Sequence, residues 1–104
     1  MSTFTIRVFE QRPADVEIIE VDYDRLYLGP LGDTATELLA VEHDAGITVI
    51  TSPPVGAISN GVIKMAVSGV TAGTTYQVIT IVKSAAGRIR EHEFQVLGVV
   101  GGIT

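Results

Sequence analysis

The sequence contains no cysteine and no tryptophan, and only three tyrosines and three phenylalanines in 104 residues. Without Cys there is no disulfide framework, no thiolate metal site and no cysteine nucleophile, and the redox compartment is left open. Stability has to come from packing, and the length suits a single domain, residues 1–104, with a real core. Basic charge is scarce: 7 Lys plus Arg stand against 12 Asp plus Glu, a formal net charge of −5. The footprint by which proteins hold nucleic acid non-specifically is therefore missing. No run approaches the roughly 18 consecutive apolar residues of a membrane span, and "MSTFTIRVFE" lacks the apolar stretch of a signal peptide. A soluble chain is expected, with neither nucleic acid nor membrane among its partners.

Chemistry-bearing patterns are equally sparse. His43 and His92 are the only histidines, and their spacing is not that of metal ligands. No G-x-S-x-G elbow is present, and neither "VGGIT" nor "AGTT" precedes a helix in the manner of a phosphate loop. Asp22 and Asp24 in "EVDYDRL" share one face of a strand, but a calcium site needs six or more oxygen ligands and an acid–base pair needs a partner geometry. They read as a solvated acidic strand end. No catalytic residue, metal ligand or cofactor is assigned.

What the chain does contain is a series of short segments rich in Val, Ile, Thr, Tyr and Phe, separated by Gly, Pro, Asp and Asn. Candidate strands cover 3–9, 16–23, 35–42, 47–51, 62–68, 75–83 and 88–97. About seven strands in this length predict an all-β, immunoglobulin-like or fibronectin III-like antiparallel sandwich. In "EHDAGIT", Asp44 to Gly46 read as a hairpin loop with Gly46 supplying a left-handed residue, and Gly87 in "KSAAGRI" does the same. "TSPPVGAISNG" reads as a crossing between sheets. A short helix from Thr34 competes with a strand in "DTATELLA", and the strand is preferred. Residues 98–104 read either as the end of the last strand or as a flexible arm that orders on a partner.

In "GVTAGTTYQV" a small-residue turn precedes Thr and Tyr at a strand start, the pattern of a tyrosine corner, so Tyr76 is structural. Fibronectin type III domains carry a similar Gly, Thr, any residue, Tyr pattern. Beyond Tyr76 the alternation predicts Tyr76, Val78, Thr80 and Val82 on one face and Gln77, Ile79, Ile81 and Lys83 on the other. Aliphatic side chains on both faces mean that Ile79 and Ile81 need a cover, which is either a neighbouring molecule or the connection 53–61. The charge is divided as well: residues 1–52 hold three basic and ten acidic residues, and residues 53–104 four basic and two acidic. Ile79, Ile81, Arg88, Arg90, Asp22 and Asp24 are therefore expected at an interface, with the "RIREHEF" strand, a charged edge, facing the acidic half of a neighbouring copy.

The succession "ADVEIIEVDYDRLYLGPLGDTATE", "GITVITSP" and "VSGVTAGTTYQVITIVKSAAGRIREHEFQVLGV" resembles a family of small tailed-bacteriophage virion proteins, the fibre-tail adaptor or head-tail accessory type, over roughly residues 14–99. Val70 stands where the family pattern has a second glycine. The resemblance implies an immunoglobulin-like assembly module of the virion, made in the bacterial host cytoplasm, without catalysis or cofactor. Its partners would be other virion proteins of tail, fibre or connector and copies of itself in a homo-oligomer. Capsid decoration or host-surface glycan binding is the alternative, with Tyr23 and Tyr27 as the aromatic platform.

Overall fold

The computed structural model describes residues 7–100, with the backbone alone for residue 7. Eight strands are present among them: β1 Arg7–Gln11, β2 Glu17–Asp22, β3 Ala35–His43, β4 Thr48–Ser52, β5 Gly56–Ala57, β6 Val62–Ser68, β7 Thr75–Ser84 and β8 Ile89–Gly98. They form a five-stranded sheet in the order β1-β8-β7-β3-β5 and a three-stranded sheet in the order β2-β6-β4. The architecture is an all-β sandwich, as the strand rhythm predicts. Of the expected first strand, residues 3–6 lie outside the described residues.

Period-two patterning sets which side chains are inside. Ile63, Met65 and Val67 of β6 face Tyr76, Val78 and Val82 of β7 and Phe94 and Val96 of β8 across a common core, joined by Ile19 and Val21 of β2. Each such aliphatic or aromatic side chain contributes about 1.5–3 kcal/mol by leaving water. Val70 is also buried there.

The connections differ from expectation. Asp44 to Gly46 do not close a hairpin, because β3 lies in the five-stranded sheet and β4 in the three-stranded one. The cause is local. Asp44 stays paired to β7, its amide donating to the Gln77 carbonyl at 3.1 Å and its carboxylate accepting from the Gln77 amide at 3.0 Å. Gly46 then turns at φ +99°, its Cα set against the Tyr76 ring, and Ile47 drops into the core between the sheets. The stretch 53–61 leaves the three-stranded sheet, adds β5 beside Glu37 and Leu38 at the edge of β3, and returns as β6. It thus extends the five-stranded sheet sideways.

Two more features escape the sequence pattern. β1 runs parallel to β8, from Arg7 opposite Phe94 to Gln11 opposite Gly98, while every other pairing is antiparallel. β8 is consequently no edge strand over that length. Between β2 and β3 the chain makes a π turn, Asp24–Leu28, and a 3-10 turn, Gly29–Leu31, which bury Leu28. Strand β3 follows from Ala35, so the strand reading of "DTATELLA" holds.

The β7–β8 hairpin closes as read, with Gly87 at φ +89° and its amide donating to the Ser84 carbonyl at 3.0 Å. At the far end of β8, a Cβ on Gly98 would lie 2.0 Å from the Thr71 carbonyl oxygen, so only glycine fits. Of the segment 98–104, Gly98 closes β8, and residues 101–104 lie outside the described residues.

Candidate interaction surfaces

The two sheets are tied by buried polar contacts, and these account for several side chains with chemical potential. Tyr23, at the end of β2, is fully buried, and its hydroxyl donates to the Thr80 carbonyl at 2.6 Å and lies 2.5 Å from Thr80 Oγ1 on β7. Burial pushes this phenol far above the ordinary tyrosine range, against the opposing effect of the Thr80 contact. Gln11 of β1 donates through Nε2 to the Val67 carbonyl at 2.8 Å across the sandwich. Tyr76 accepts a hydrogen bond from the Thr71 amide, 3.0 Å away and five residues upstream, the tie of a tyrosine corner. Hydrogen bonding from Thr71 holds its phenol below the usual value.

Asp24 is occupied inside the chain. Its Oδ1 accepts from the Ala35 amide at 2.8 Å and its Oδ2 from the Thr34 hydroxyl at 2.5 Å, which fastens the π turn to the start of β3. Asp22 accepts from the Arg25 amide at 3.0 Å at the entry to the same turn. The two aspartates, both expected at an interface, thus build a turn through hydrogen bonds within the chain. Arg88 is likewise engaged: its Nη1 lies 2.7 Å from Asp33 Oδ2, the one ion pair among the described residues. The Ser84 hydroxyl first, then Arg88 and the Thr34 and Ala86 amides, hold the Asp33 carboxyl down at about 2. Arg90 pairs with Val82, on the core side of β8, and donates to the Ile89 carbonyl at 3.1 Å.

Tyr27 and His92 meet at 2.7 Å, hydroxyl to Nδ1, within an aromatic group that includes Tyr23 and Phe94. His92 is half-buried on the core side of β8. With Tyr23 fully buried, the aromatic platform imagined for a sugar loses one of its two rings. Among the described residues no group of three or more His, Asp or Glu side chains could hold a metal ion, and no helix is long and apolar enough to cross a membrane.

The outward faces of the sandwich also offer surface for binding. On the five-stranded sheet, Ile79 and Ile81 do point outward as predicted, and both are half-buried. Ile79 lies between Glu42 of β3 and Glu93 of β8, and Ile81 between Ala40 and Glu91. The connection 53–61 meets this sheet at its edge, beside β3. The more exposed apolar surface is on the other side. Ile18 of β2 and Ile50 of β4 are 63% and 65% exposed and flank Ala66 of β6 in a single cross-strand row. Between them lies an apolar hollow of about 270 Å³, with Lys64 and Ser52 at one end.

The sequence reading passed over this row. Its signal was present in "EIIEV" and "TVITS", where β-branched residues occupy both faces of a strand as they do in β7. Only the pairing register shows that the two isoleucines stand in line.

The sequence model of the family described as podophage GP4 fiber-tail adaptor protein gp77 matches residues 11–97. The chain belongs to that family. No curated protein matches it. The fibre-tail adaptor family is one of structural phage proteins, so this member has a structural adaptor role among other virion proteins.

Proposed function

We propose that the chain is a non-enzymatic adaptor that joins fibre and tail in a phage virion, docking another virion protein on the outer face of its β2-β6-β4 sheet. One observation carries the choice of face. Ile18 and Ile50, at 63% and 65%, are the most exposed large aliphatic residues of the described strands, and they stand on either side of Ala66. A contiguous apolar row that a folded domain leaves in water marks a contact surface. The small Ala66 side chain between two isoleucines makes the row concave, and a bulky apolar side chain of the partner fits there. In this reading several copies act together around the tail, each contributing one such contact.

The test is a complementation experiment with Ile18→Asp combined with Ile50→Asp. Both sites are exposed, so the variant folds and melts close to wild type. It is absent from purified virions, or the virions lack fibres. Normal incorporation of the folded variant together with normal fibre attachment would refute the assignment of this face.

A further inference from the structure

An adaptor needs two dissimilar contact surfaces, and the sandwich has a second outward face of different chemistry. On the five-stranded sheet the register turns Glu10, Glu37, Glu42, Glu91 and Glu93 outward, against the single ammonium of Lys83. Five carboxylates and one ammonium leave a face charge of −4, out of −5 for the whole chain. The carboxylates are not scattered. Glu42 and Glu93 stand on either side of Ile79 in one row, roughly 10 Å apart at two strand spacings. In the next row Glu91 stands beside Ile81. The central strand thus presents an aliphatic stripe bordered by negative charge.

We infer that this face docks a protein surface rich in Lys and Arg, and that it is separate from the apolar face of the three-stranded sheet. The row Glu42, Ile79, Glu93 and the pair Ile81, Glu91 beside it match the build of Lys and Arg, whose methylene stems lie on apolar surface while their charged ends reach carboxylates. A shallow hollow of about 170 Å³ at Glu42, His43, Asp44, Gln77 and Ile79 gives one such side chain room. The same charge argues against the other candidate occupants. Two copies cannot stack acidic face on acidic face without like-charge repulsion, and nucleic acid is repelled by the same field. Face-to-face stacking of two copies is thereby disfavoured, and the face is assigned to a basic surface of another virion protein.

The inference rests on the adaptor reading and deepens it. Its test uses two immobilised probes, fibres and fibreless tails purified from the phage, with the full chain as analyte. One probe binds wild type, and raising NaCl from about 50 to 300 mM weakens that binding about tenfold or more, because screening shortens the reach of surface charges. Glu42→Gln combined with Glu91→Gln, both at exposed sites, weakens binding to that probe about fivefold at low salt. The same pair leaves the melting temperature unchanged.

Binding that is insensitive both to salt and to the Glu→Gln pair, yet lost with Ile18→Asp and Ile50→Asp, would overturn this inference and leave the adaptor reading standing. Light scattering that shows wild-type oligomers dissociated by the Glu→Gln pair would overturn it in favour of a second copy as occupant. If neither probe binds wild type, the adaptor reading itself fails and this inference with it.

Discussion

Tyr23→Phe isolates the strongest polar tie in the sandwich. The substitution keeps the ring and its packing against Tyr27 and His92 and removes one oxygen. That oxygen contacts the Thr80 carbonyl at 2.6 Å and Thr80 Oγ1 at 2.5 Å, and both residues are fully buried. No water reaches Thr80 Oγ1 to replace the lost partner. The cost is that of an unmet buried polar group, about 1–3 kcal/mol. In a domain of this size each kcal/mol lowers Tm by roughly 4–8 °C. Urea unfolding followed by far-ultraviolet circular dichroism measures the loss directly, with an unchanged slope against denaturant. Adding Thr80→Val to Tyr23→Phe removes both hydroxyls at nearly constant shape and recovers part of the stability, the Thr80 carbonyl still lacking its phenol donor. A Tyr23→Phe variant within about 0.5 kcal/mol of wild type, the ordinary range for surface changes, would refute the reasoning. So would a double variant as unstable as the sum of its parts.

Three other outcomes are expected. The Asp33 carboxyl, held at about 2, keeps its charge below the unfolded value of about 3.9. Its contribution is therefore full above that value and is lost as the pH falls through 2, so Asp33→Asn flattens the stability curve between about pH 4 and 2. An unchanged acid limb contradicts this. Tyr23, with its phenol raised by burial, gives the opposite slope: stability is full below the unfolded tyrosine value of about 10 and declines as pH rises above it. Absorbance titration should find one tyrosine that ionises only on unfolding. Gly98→Ala places a Cβ 2.0 Å from the Thr71 carbonyl and costs at least the upper part of the roughly 1–3 kcal/mol of an overpacked site. Wild-type Tm in that variant would show that the β8 end is looser than its hydrogen bonds to Thr74 and Gly73 indicate.

Much of the fold was legible because alternation is a direct imprint of a two-layer core. The segments 62–68 and 75–83 coincide with β6 and β7 to within a residue, since their inward Val, Met, Ile and Tyr alternate with outward partners. What escaped was decided by tertiary pairing. The two residues of β5 are too few to carry a pattern, and the parallel docking of β1 on β8 leaves no mark in either strand. "DRLYLGPL" forms tight helical turns because Asp22 and Asp24 satisfy their ends and Leu28 is buried. That role was hidden, since the same aspartates read equally well as surface charge. The ion pair of Arg88 was hidden for a similar reason, its partner Asp33 lying 55 residues away. Ile79 and Ile81 could be assigned to an outer face from β7 alone, whereas the Ile18, Ala66 and Ile50 row joins three strands and exists only in the register.

The most direct measurement is a cryo-electron microscopy structure of the intact tail with its fibres attached. In that structure Ile18 and Ile50 of this chain are expected to lie buried under a side chain of another virion protein. A tail in which the outer face of the β2-β6-β4 sheet looks onto solvent in every copy, with fibre and tail both held elsewhere, would contradict that expectation.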